Sequence, residues 1–376
     1  MKPARLQFAL AAASLAGLLS RRLLKRPGET LPGRILLALY PNALAELSRG
    51  RRIILVSGTN GKTSTTKALA KIVATLGVVA TSPSGSNLTR GAAGILMQPH
   101  KLAVIEVDEL HLPGVVKAVH PEIVLLLNLT RDQLHRMHEV KRVADRWHEM
   151  VKTNPTTLFI GDIDDPFINY ALSSATRKRS ISFGGRTHQD GAVCPQCGKY
   201  MNWNGVHYSS ECGLTNNNAD ISLPAGSAAY RNNELAKIVA HEFGITDSEG
   251  STELRELERR VVKQYGKVSA SFRLTKNPAS WVEALAGVEG NRVILILNAR
   301  EVDGIDTSWL WDISYASLKG KEVVVTGERG IDLAYRLHAE GVTATLVENF
   351  ESALAHFASG TVEVLAAYTA FHGLVM

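Results

Sequence analysis

The sequence predicts an α/β protein: a parallel sheet covered by helices on both faces and carrying a nucleotide phosphate loop, then a smaller C-terminal α/β domain. Three observations predict this. The apolar run Ile53-Ile54-Leu55 leads directly into Val56 to Thr66 (VSGTNGKTSTT) and then into a helix-periodic stretch. Continuously apolar runs alternate with helical periodicity, the mark of strands buried on both faces. After a stretch of broken periodicity from 184 to 218, the same alternation restarts near residue 292.

At 376 residues the chain can hold two or three domains, each with its own core. Its 45% hydrophobic and 21% charged residues are those of a globular protein. The net charge of +6 is concentrated near the start, in Lys2, Arg5, Arg21, Arg22, Lys25, Arg26, Arg34, Arg49, Arg51 and Arg52. Such a flank suits anionic lipid headgroups or nucleic acid, and equally a plain solvated end. The apolar run Leu6 to Leu19 looks superficially like a signal peptide but is shorter than the roughly 20 residues of a membrane span. A phosphate loop downstream belongs where ATP is, in the cytoplasm. The run is therefore read as an uncleaved helix, packed or membrane-apposed.

Residues 1–50 form this basic and apolar segment, 51–260 the nucleotide-binding domain, and 261–376 the C-terminal domain. In the middle domain, strands are expected at 51–56, 102–107 and 123–129, with a helix at 63–76 and shorter strands at 158–160 and 180–183. An insertion at about 190–218 follows, rich in Gly, Asn and Cys. Helical periodicity returns at 230–243 and 252–265, on either side of a joint at 247–251. The last domain shows strands at 292–298, 322–326, 343–347 and 362–365, separated by helices near 278–287, 330–340 and 350–358.

The phosphate loop has a mechanism behind it. Gly58 and Gly61 let the backbone turn its N–H groups onto phosphate oxygens, and Thr59, Asn60 and Ser64 complete the loop. The following helix offers its positive end, Lys62 a point charge for the terminal phosphates, and Thr63 a hydroxyl for Mg²⁺. Val56 stands where the strict motif has its first glycine, so the bland alternative is a glycine-rich turn with a surface lysine. Glu106, Asp108 and Glu109 end the second strong strand, on the sheet edge that faces the loop, where a carboxylate can hold Mg²⁺. The alternative is a strand-terminal surface acid. Arg131, in the segment Asn128 to Asp132, could meet phosphates or a substrate carboxylate, or simply pair with Asp132.

Cys194, Cys197 and Cys212 read as two knuckles of a zinc ribbon. Ser209 occupies the position of a fourth cysteine, and His207 is the candidate replacement ligand. A degenerate ribbon that folds without metal is the competing reading. The role is structural in either case.

Taken together, these segments resemble the Mur ligase family, which joins amines to carboxylates through an ATP-made acyl phosphate. Gly58 to Thr63 resembles its phosphate loop, Glu106 its Mg²⁺-associated glutamate, Asn128 to Asp132 its Asn-x-x-Arg-Asp segment, and Asn233 its adenine-contacting asparagine. Within the family the chain resembles the MurT-type branch, subunits of lipid II isoglutaminyl synthase. The features that carry this are the cysteine ribbon, Lys276 to Pro278 with Trp281, Asn298 with Asp303 to Asp312 (DGIDTSWLWD), and Tyr368 to Ala370. The chain departs from the branch at Ser209, His135, Lys267 and the segment Tyr230-Arg231-Asn232.

The resemblance implies a fold, a chemistry and partners. The fold is a Mur-ligase-like central P-loop NTPase domain with an inserted zinc-ribbon-like segment. The chemistry is ATP- and Mg²⁺-dependent amidation of D-isoglutamate in lipid II to D-isoglutamine. Ammonia would come from a GatD-type class I glutamine amidotransferase in a heterodimer, and no nucleic acid is expected. Catalysis would rest on Lys62 and Glu106, with Asp306 or Asp312 completing the partner's Cys-His pair. The alternative for these aspartates is capping of turns around Trp309 and Trp311. The location implied is cytoplasmic, at the inner membrane face through peripheral contact. Two rival readings share the loop: a stand-alone Mur or folylpolyglutamate-type ligase, and a nucleotide-binding scaffold whose chemistry has lapsed.

Overall fold

The computed structural model describes residues 3–24, 30–82, 87–131, 140–246, 260–300 and 303–375. They fall into two compact units. One holds the described residues up to Leu129 and from Val140 to Thr246, the other Thr130, Arg131 and everything from Arg260 onward.

The first unit is built on a seven-stranded sheet. Its strands are β1 (Arg52–Ser57), β2 (Val79–Ala80), β3 (Leu102–Glu106), β4 (Ile123–Leu126), β5 (Leu158–Asp162) and β6 (Lys178–Ser182). A small antiparallel hairpin, β7 (Asn202–Asn204) with β8 (His207–Ser209), interrupts the chain before β9 (Ile221–Ser222) completes the sheet. The strand order is β2-β3-β1-β4-β5-β6-β9, and every pairing is parallel. Ile53, Ile54, Leu55 and Val56 are all buried, as strands covered on both faces must be. The helices Lys62–Val73 and Ala228–Glu242 cover one face, setting Leu69, Ile72, Val73, Leu235, Val239 and Phe243 against the strands.

Before the sheet, helix Ala4–Leu24 packs on helix Thr30–Leu39. The latter presses against helix Thr89–Leu96, with Gly33 at the point of contact. No helix among the described residues is long and apolar enough to cross a membrane.

The second unit has a six-stranded sheet: β10 (Arg260–Tyr265), β11 (Val268–Leu274), β12 (Arg292–Ile296), β13 (Glu322–Thr326), β14 (Ala344–Leu346) and β15 (Gly360–Ala366). Its order is β10-β11-β15-β12-β13-β14, with β10 and β11 antiparallel and the rest parallel. Separate apolar clusters cover its faces, one around Trp281, Leu310 and Tyr315, the other around Phe272, Phe350 and Phe371.

One expected helix is corrected. Of the stretch 252–265, residues 260–265 form strand β10, while 252–259 and the joint at 247–251 lie outside the described residues. The burial of β10 alternates residue by residue, and Gly266 at φ +57° turns the chain back so that Tyr265 faces Val268. The paired strand β11 outweighs a helical reading of Val261, Val262 and Tyr265, residues with strong strand preference.

A Cβ built on Gly33 would lie 1.8 Å from the Arg90 carbonyl oxygen. Gly33→Ala is therefore expected to force the two helices apart and to destabilise the first unit by about 1–3 kcal/mol, read as a lowered urea midpoint.

Candidate functional site

The chain leaves β1 toward β2 and β3 on one side and returns to β4 on the other. That change of direction opens a crevice at the carboxyl ends of the strands. The phosphate loop sits there. Ser57 at the end of β1 donates through Oγ to the Val107 carbonyl at 2.8 Å, and the Leu127 N–H donates to the Ser57 carbonyl at 2.9 Å. The ends of three neighbouring strands are thus stitched together.

Gly58 (φ +143°) and Gly61 (φ +84°) leave no room for a side chain. A Cβ on Gly58 would lie 2.9 Å from the Leu127 Cβ and 3.0 Å from the Asn128 nitrogen, and one on Gly61 would lie 2.2 Å from Asn232 Nδ2. Asn128 holds the loop from beside it. Its carbonyl accepts from the Thr59 N–H at 2.9 Å, its Oδ1 accepts from the Asn60 N–H at 2.9 Å, and its Nδ2 donates to the Asn60 carbonyl at 3.0 Å. This amide grip is a feature of the site that the motif alone did not reveal.

Lys62 opens the helix and turns its amine into the loop. It donates to the Gly58 and Thr59 carbonyls and pairs with Glu109 Oε2 at 3.1 Å. Lys62 and Glu109 are 8% and 2% exposed, so this is a buried ion pair at the end of the loop. Trp147, fully buried, donates its indole N–H to the Glu109 carbonyl at 3.0 Å and fixes that backbone. Of the neighbouring acids, Glu106 is buried at the end of β3, level with Val56, while Asp108 accepts from the Leu110 N–H at 3.0 Å in its own turn.

The residues present fit a nucleotide triphosphate. A glycine cradle that a Cβ would fill, a helix N-terminus and an inward lysine converge on one point. They also fit a hard cation, because the Thr63 hydroxyl on the first helical turn and the Glu106 carboxylate belong to the same sheet edge. Ser64 lies half-buried on that turn. Asn233 lies half-buried on helix Ala228–Glu242, and its buried Oδ1 has no hydrogen-bond partner among the described residues.

A carboxylate network behind the crevice escaped the sequence reading. Asp164, fully buried, accepts from Ser182 Oγ, the Phe183 and Gly185 N–H groups, Asn216 Nδ2 and Arg231 Nη2 at 2.6–3.1 Å. Arg231 also donates to Asp162 at 3.2 Å, which makes a buried ion pair. Burial pushes the Asp162 carboxyl above its usual range, against the pull of Arg186 and Arg231. Burial acts the same way on Asp165, but His188, Arg186 and the Leu129 N–H outweigh it and hold that carboxyl low. Leu129 is gripped at both backbone groups. Its N–H donates to Asp165 Oδ2 at 2.8 Å and its carbonyl accepts from His188 Nε2 at 3.0 Å. The next residue back is Asn128. The signal in the sequence was the acidic run Asp162 to Asp165 at a strand end, which no phosphate-loop motif includes.

The sulfur atoms of Cys194, Cys197 and Cys212 lie within 4.8 Å of one another, with Gly198 (φ +74°) and Gly213 (φ +87°) making the knuckle turns. Cys194, Met201, Tyr208 and Leu214 form a small core beneath them. The structure does not bring His207 into this group. It is exposed on β8, paired through its backbone with Asn204 in a two-residue hairpin. Ser210 stands beside the cluster, its Oγ 3.1 Å from the Cys212 sulfur. Burial works against ionisation of Cys212, yet hydrogen bonds from Ser210, the Leu214 N–H and the other two cysteines bring its thiol down to about 7. Burial pushes the Cys194 thiol up. Three converging sulfurs are a donor set suited to zinc.

In the second unit, the carboxyl ends of β12 and β15 gather the remaining motif residues. Asn298 Nδ2 donates to Thr369 Oγ1 at 3.0 Å, and Asp303 accepts from the Thr369 N–H at 2.7 Å and from its hydroxyl at 2.6 Å. Asp303 thereby pins the start of the segment that runs to Asp312. Asp306 accepts from the Ser308 N–H at 2.8 Å, just ahead of the short 3-10 turn Ser308–Asp312. Asp312 pairs with Arg131 at 2.7 Å, and the alternative partner Asp132 lies outside the described residues. Trp309 is buried against Trp281, whereas Trp311 is exposed against Tyr335. Asn277 caps the helix Pro278–Ala286, which gives that motif a structural role. Asp132, His135 and Arg136 lie outside the described residues.

A model of the Mur ligase middle domain matches residues 56–238, and a model of the MurT ligase C-terminal domain matches residues 274–371. The chain is 28% identical to the lipid II isoglutaminyl synthase (glutamine-hydrolyzing) subunit MurT of Staphylococcus aureus strain N315, over 89% of this chain and 88% of that protein. It is 26% identical to the subunit of the same name from Streptococcus pneumoniae strain R6, over 95% and 94%. Among solved structures it is similar to a pseudomurein peptide ligase type C from Methanothermus fervidus, with TM-score 0.66 and 16% identity over 86% of this chain and 77% of that one. It is also similar to MurF from Acinetobacter baumannii, with TM-score 0.65 and 18% identity over 91% and 79%.

Two outcomes are expected from this geometry. Asn128→Ala removes the side-chain hold on Asn60 and should weaken nucleotide binding about tenfold by calorimetry while the fold melts cooperatively, two side-chain hydrogen bonds being worth about 1–3 kcal/mol. Asp165→Asn should destabilise the first unit by about 3–5 kcal/mol at neutral pH. Because the native carboxyl is held low, its contribution is complete above its unfolded value of about 3.9 and is lost as the pH falls through the folded value. Denaturation curves of variant and parent should therefore converge in acid.

Proposed function

From the premise that this chain belongs to the Mur ligase family, in its MurT-type branch, we propose that it is the ATP-dependent ligase subunit of a lipid II isoglutaminyl synthase. It amidates the α-carboxylate of D-isoglutamate in lipid II, giving D-isoglutamine. The observation that carries this reading is the conjunction, in one chain, of a built phosphate cradle with the MurT C-terminal domain, both within a near end-to-end match to glutamine-hydrolysing relatives. Members of the Mur ligase family bind ATP and Mg²⁺, and a MurF of this fold from Thermotoga maritima was solved with ADP.

The substrate carboxylate attacks the γ-phosphorus, the bond to the β-phosphate oxygen breaks, and an acyl phosphate and ADP result. Ammonia then attacks the acyl carbon and releases phosphate. Lys62 neutralises charge that builds on the transferring group, and its buried partner Glu109 keeps the amine aimed into the loop. Gly58 to Ser64 hold the phosphates through their backbone, and Asn128 fixes the loop so that little reorganisation is left for the reaction. Mg²⁺, when bound to Thr63 and Glu106, polarises the phosphoryl oxygens. Asn233 offers its amide to the adenine.

Ammonia is scarce at neutral pH, so a partner must make it on site. The chain's three cysteines are all in the ribbon, which leaves it without a glutaminase nucleophile. The partner is a GatD-type class I glutamine amidotransferase, docked on the second unit. Support comes from the exposed apolar side chains there, Ile305, Trp311, Ile331 and Tyr335, which surround the segment that bears Asp306 and Asp312. One of these aspartates orients the partner's catalytic imidazole. The cysteine cluster holds a structural zinc ion with Ser210 or water completing the shell. A lipid-anchored acceptor places the enzyme at the cytoplasmic membrane face.

Co-purified with its glutaminase, the chain should amidate lipid II in a reaction that requires ATP and glutamine. Lys62→Ala should remove at least about 99% of the product, a loss of roughly 2.7 kcal/mol or more of transition-state stabilisation. Amidation that survives this change would take Lys62 out of the chemistry. With ammonium salts replacing glutamine, Asp306→Asn and Asp312→Asn should each keep ligase activity, while one of them loses glutamine hydrolysis. Purified protein should carry about one zinc ion per chain by elemental analysis, and Cys197→Ser should release it.

A further inference from the structure

Helix Ala4–Leu24 arranges its apolar residues the wrong way round for a helix whose only partner is its own protein. Its inward stripe is small: Ala9, Ala13, Gly17 and Ser20 follow Leu6 and meet the next helix, with Gly17 so close that a Cβ would lie 2.9 Å from Pro32 Cγ. Its outward stripe carries the large side chains. Phe8 is 66% exposed, Leu15 59%, Leu18 50% and Leu19 49%. At 3.6 residues per turn these four, with Ala11, fall within an arc of about 100° opposite the packed stripe. A helix stabilised only by burial against its own domain would set the large residues inward and the small or polar ones outward. Such an outward stripe suits an occupant outside the chain.

Charge identifies that occupant. In the sequence, Lys2 and Arg5 stand before or at the start of the apolar run and Arg21, Arg22, Lys25 and Arg26 follow it, with no acidic residue between Met1 and Glu29. A second copy of the helix would face basic ends with basic ends in either orientation. A bilayer offers acyl chains to the middle and anionic headgroups to both ends. The helix is not apolar enough to cross. We propose that the outward face of helix Ala4–Leu24, carried by Phe8, Leu15, Leu18 and Leu19 with Arg5 beside them, lies in the surface of an anionic lipid bilayer. This surface is distinct from the phosphate crevice, and its test needs no ATP, glutamine or acceptor, so it stands or falls apart from the ligase reading.

The full chain is mixed with vesicles of phosphatidylcholine alone or of phosphatidylcholine with phosphatidylglycerol, and bound protein is separated by flotation. Binding is expected on the phosphatidylglycerol vesicles, with at least about a tenfold weaker association on phosphatidylcholine alone. The triple variant Phe8→Ser/Leu15→Ser/Leu18→Ser should lose about tenfold or more of this binding at an unchanged melting temperature, since all three side chains already face solvent. Phe8→Trp serves as a second readout, its emission shifting to the blue on the anionic vesicles alone. The proposal is overturned if the parent chain fails to float with anionic vesicles, or if the triple variant floats as well as the parent. It is also overturned if light scattering shows a lipid-free dimer that the triple variant dissolves.

Discussion

The hold of Asn128 on the phosphate loop is the contact on which the rest of the site depends. A glycine-rich loop is flexible by composition, and a flexible loop loses entropy each time it closes on a phosphate. Here both backbone groups of Asn60 and the N–H of Thr59 are tied to one residue just past the end of β4. The loop is therefore fixed before nucleotide arrives, and Lys62 and Glu109 are fixed with it. The glycines make this possible in the plainest steric sense, since the ground a Cβ would occupy at Gly58 belongs to Leu127 and Asn128.

That hold has its own support. Leu129 is clasped by Asp165 and by His188, and His188 comes from the long stretch between β6 and β9 that also bears the cysteines. Asp164 joins the same stretch, through Asn216, to Arg231 on the helix that carries Asn233. The cysteine-bearing stretch is thus continuous, through buried hydrogen-bonded polar groups, with both the phosphate loop and the helix beside it. The stretch that bears the cysteines thereby anchors residues that steady the loop.

Much of this was legible in the sequence, for reasons that can be named. The phosphate loop is local chemistry, written in seven consecutive residues from Gly58 to Ser64. The parallel strands declared themselves because double burial demands unbroken apolar runs, as in Ile53 to Val56. What stayed hidden depended on partners distant in the chain. Strand β10 was read as helix because its alternation makes sense only beside β11. His207 was credited to the cysteine cluster on proximity in sequence, but a two-residue hairpin turns it out to solvent. Arg131 meets Asp312, 181 residues away, which no local pattern encodes. The inverted helix at the start could be seen only once the small stripe was known to be the packed one.

The account turns on phosphoryl transfer to a carboxylate, and oxygen-18 reports that transfer directly. Lipid II labelled with oxygen-18 in the α-carboxylate of its D-isoglutamate is supplied to the complex with ATP and glutamine, and the phosphate released is analysed by mass spectrometry. One labelled oxygen should appear in each phosphate formed, having bridged carbon and phosphorus in the acyl phosphate. Phosphate that forms in step with the amide yet carries no label would contradict the mechanism at its centre.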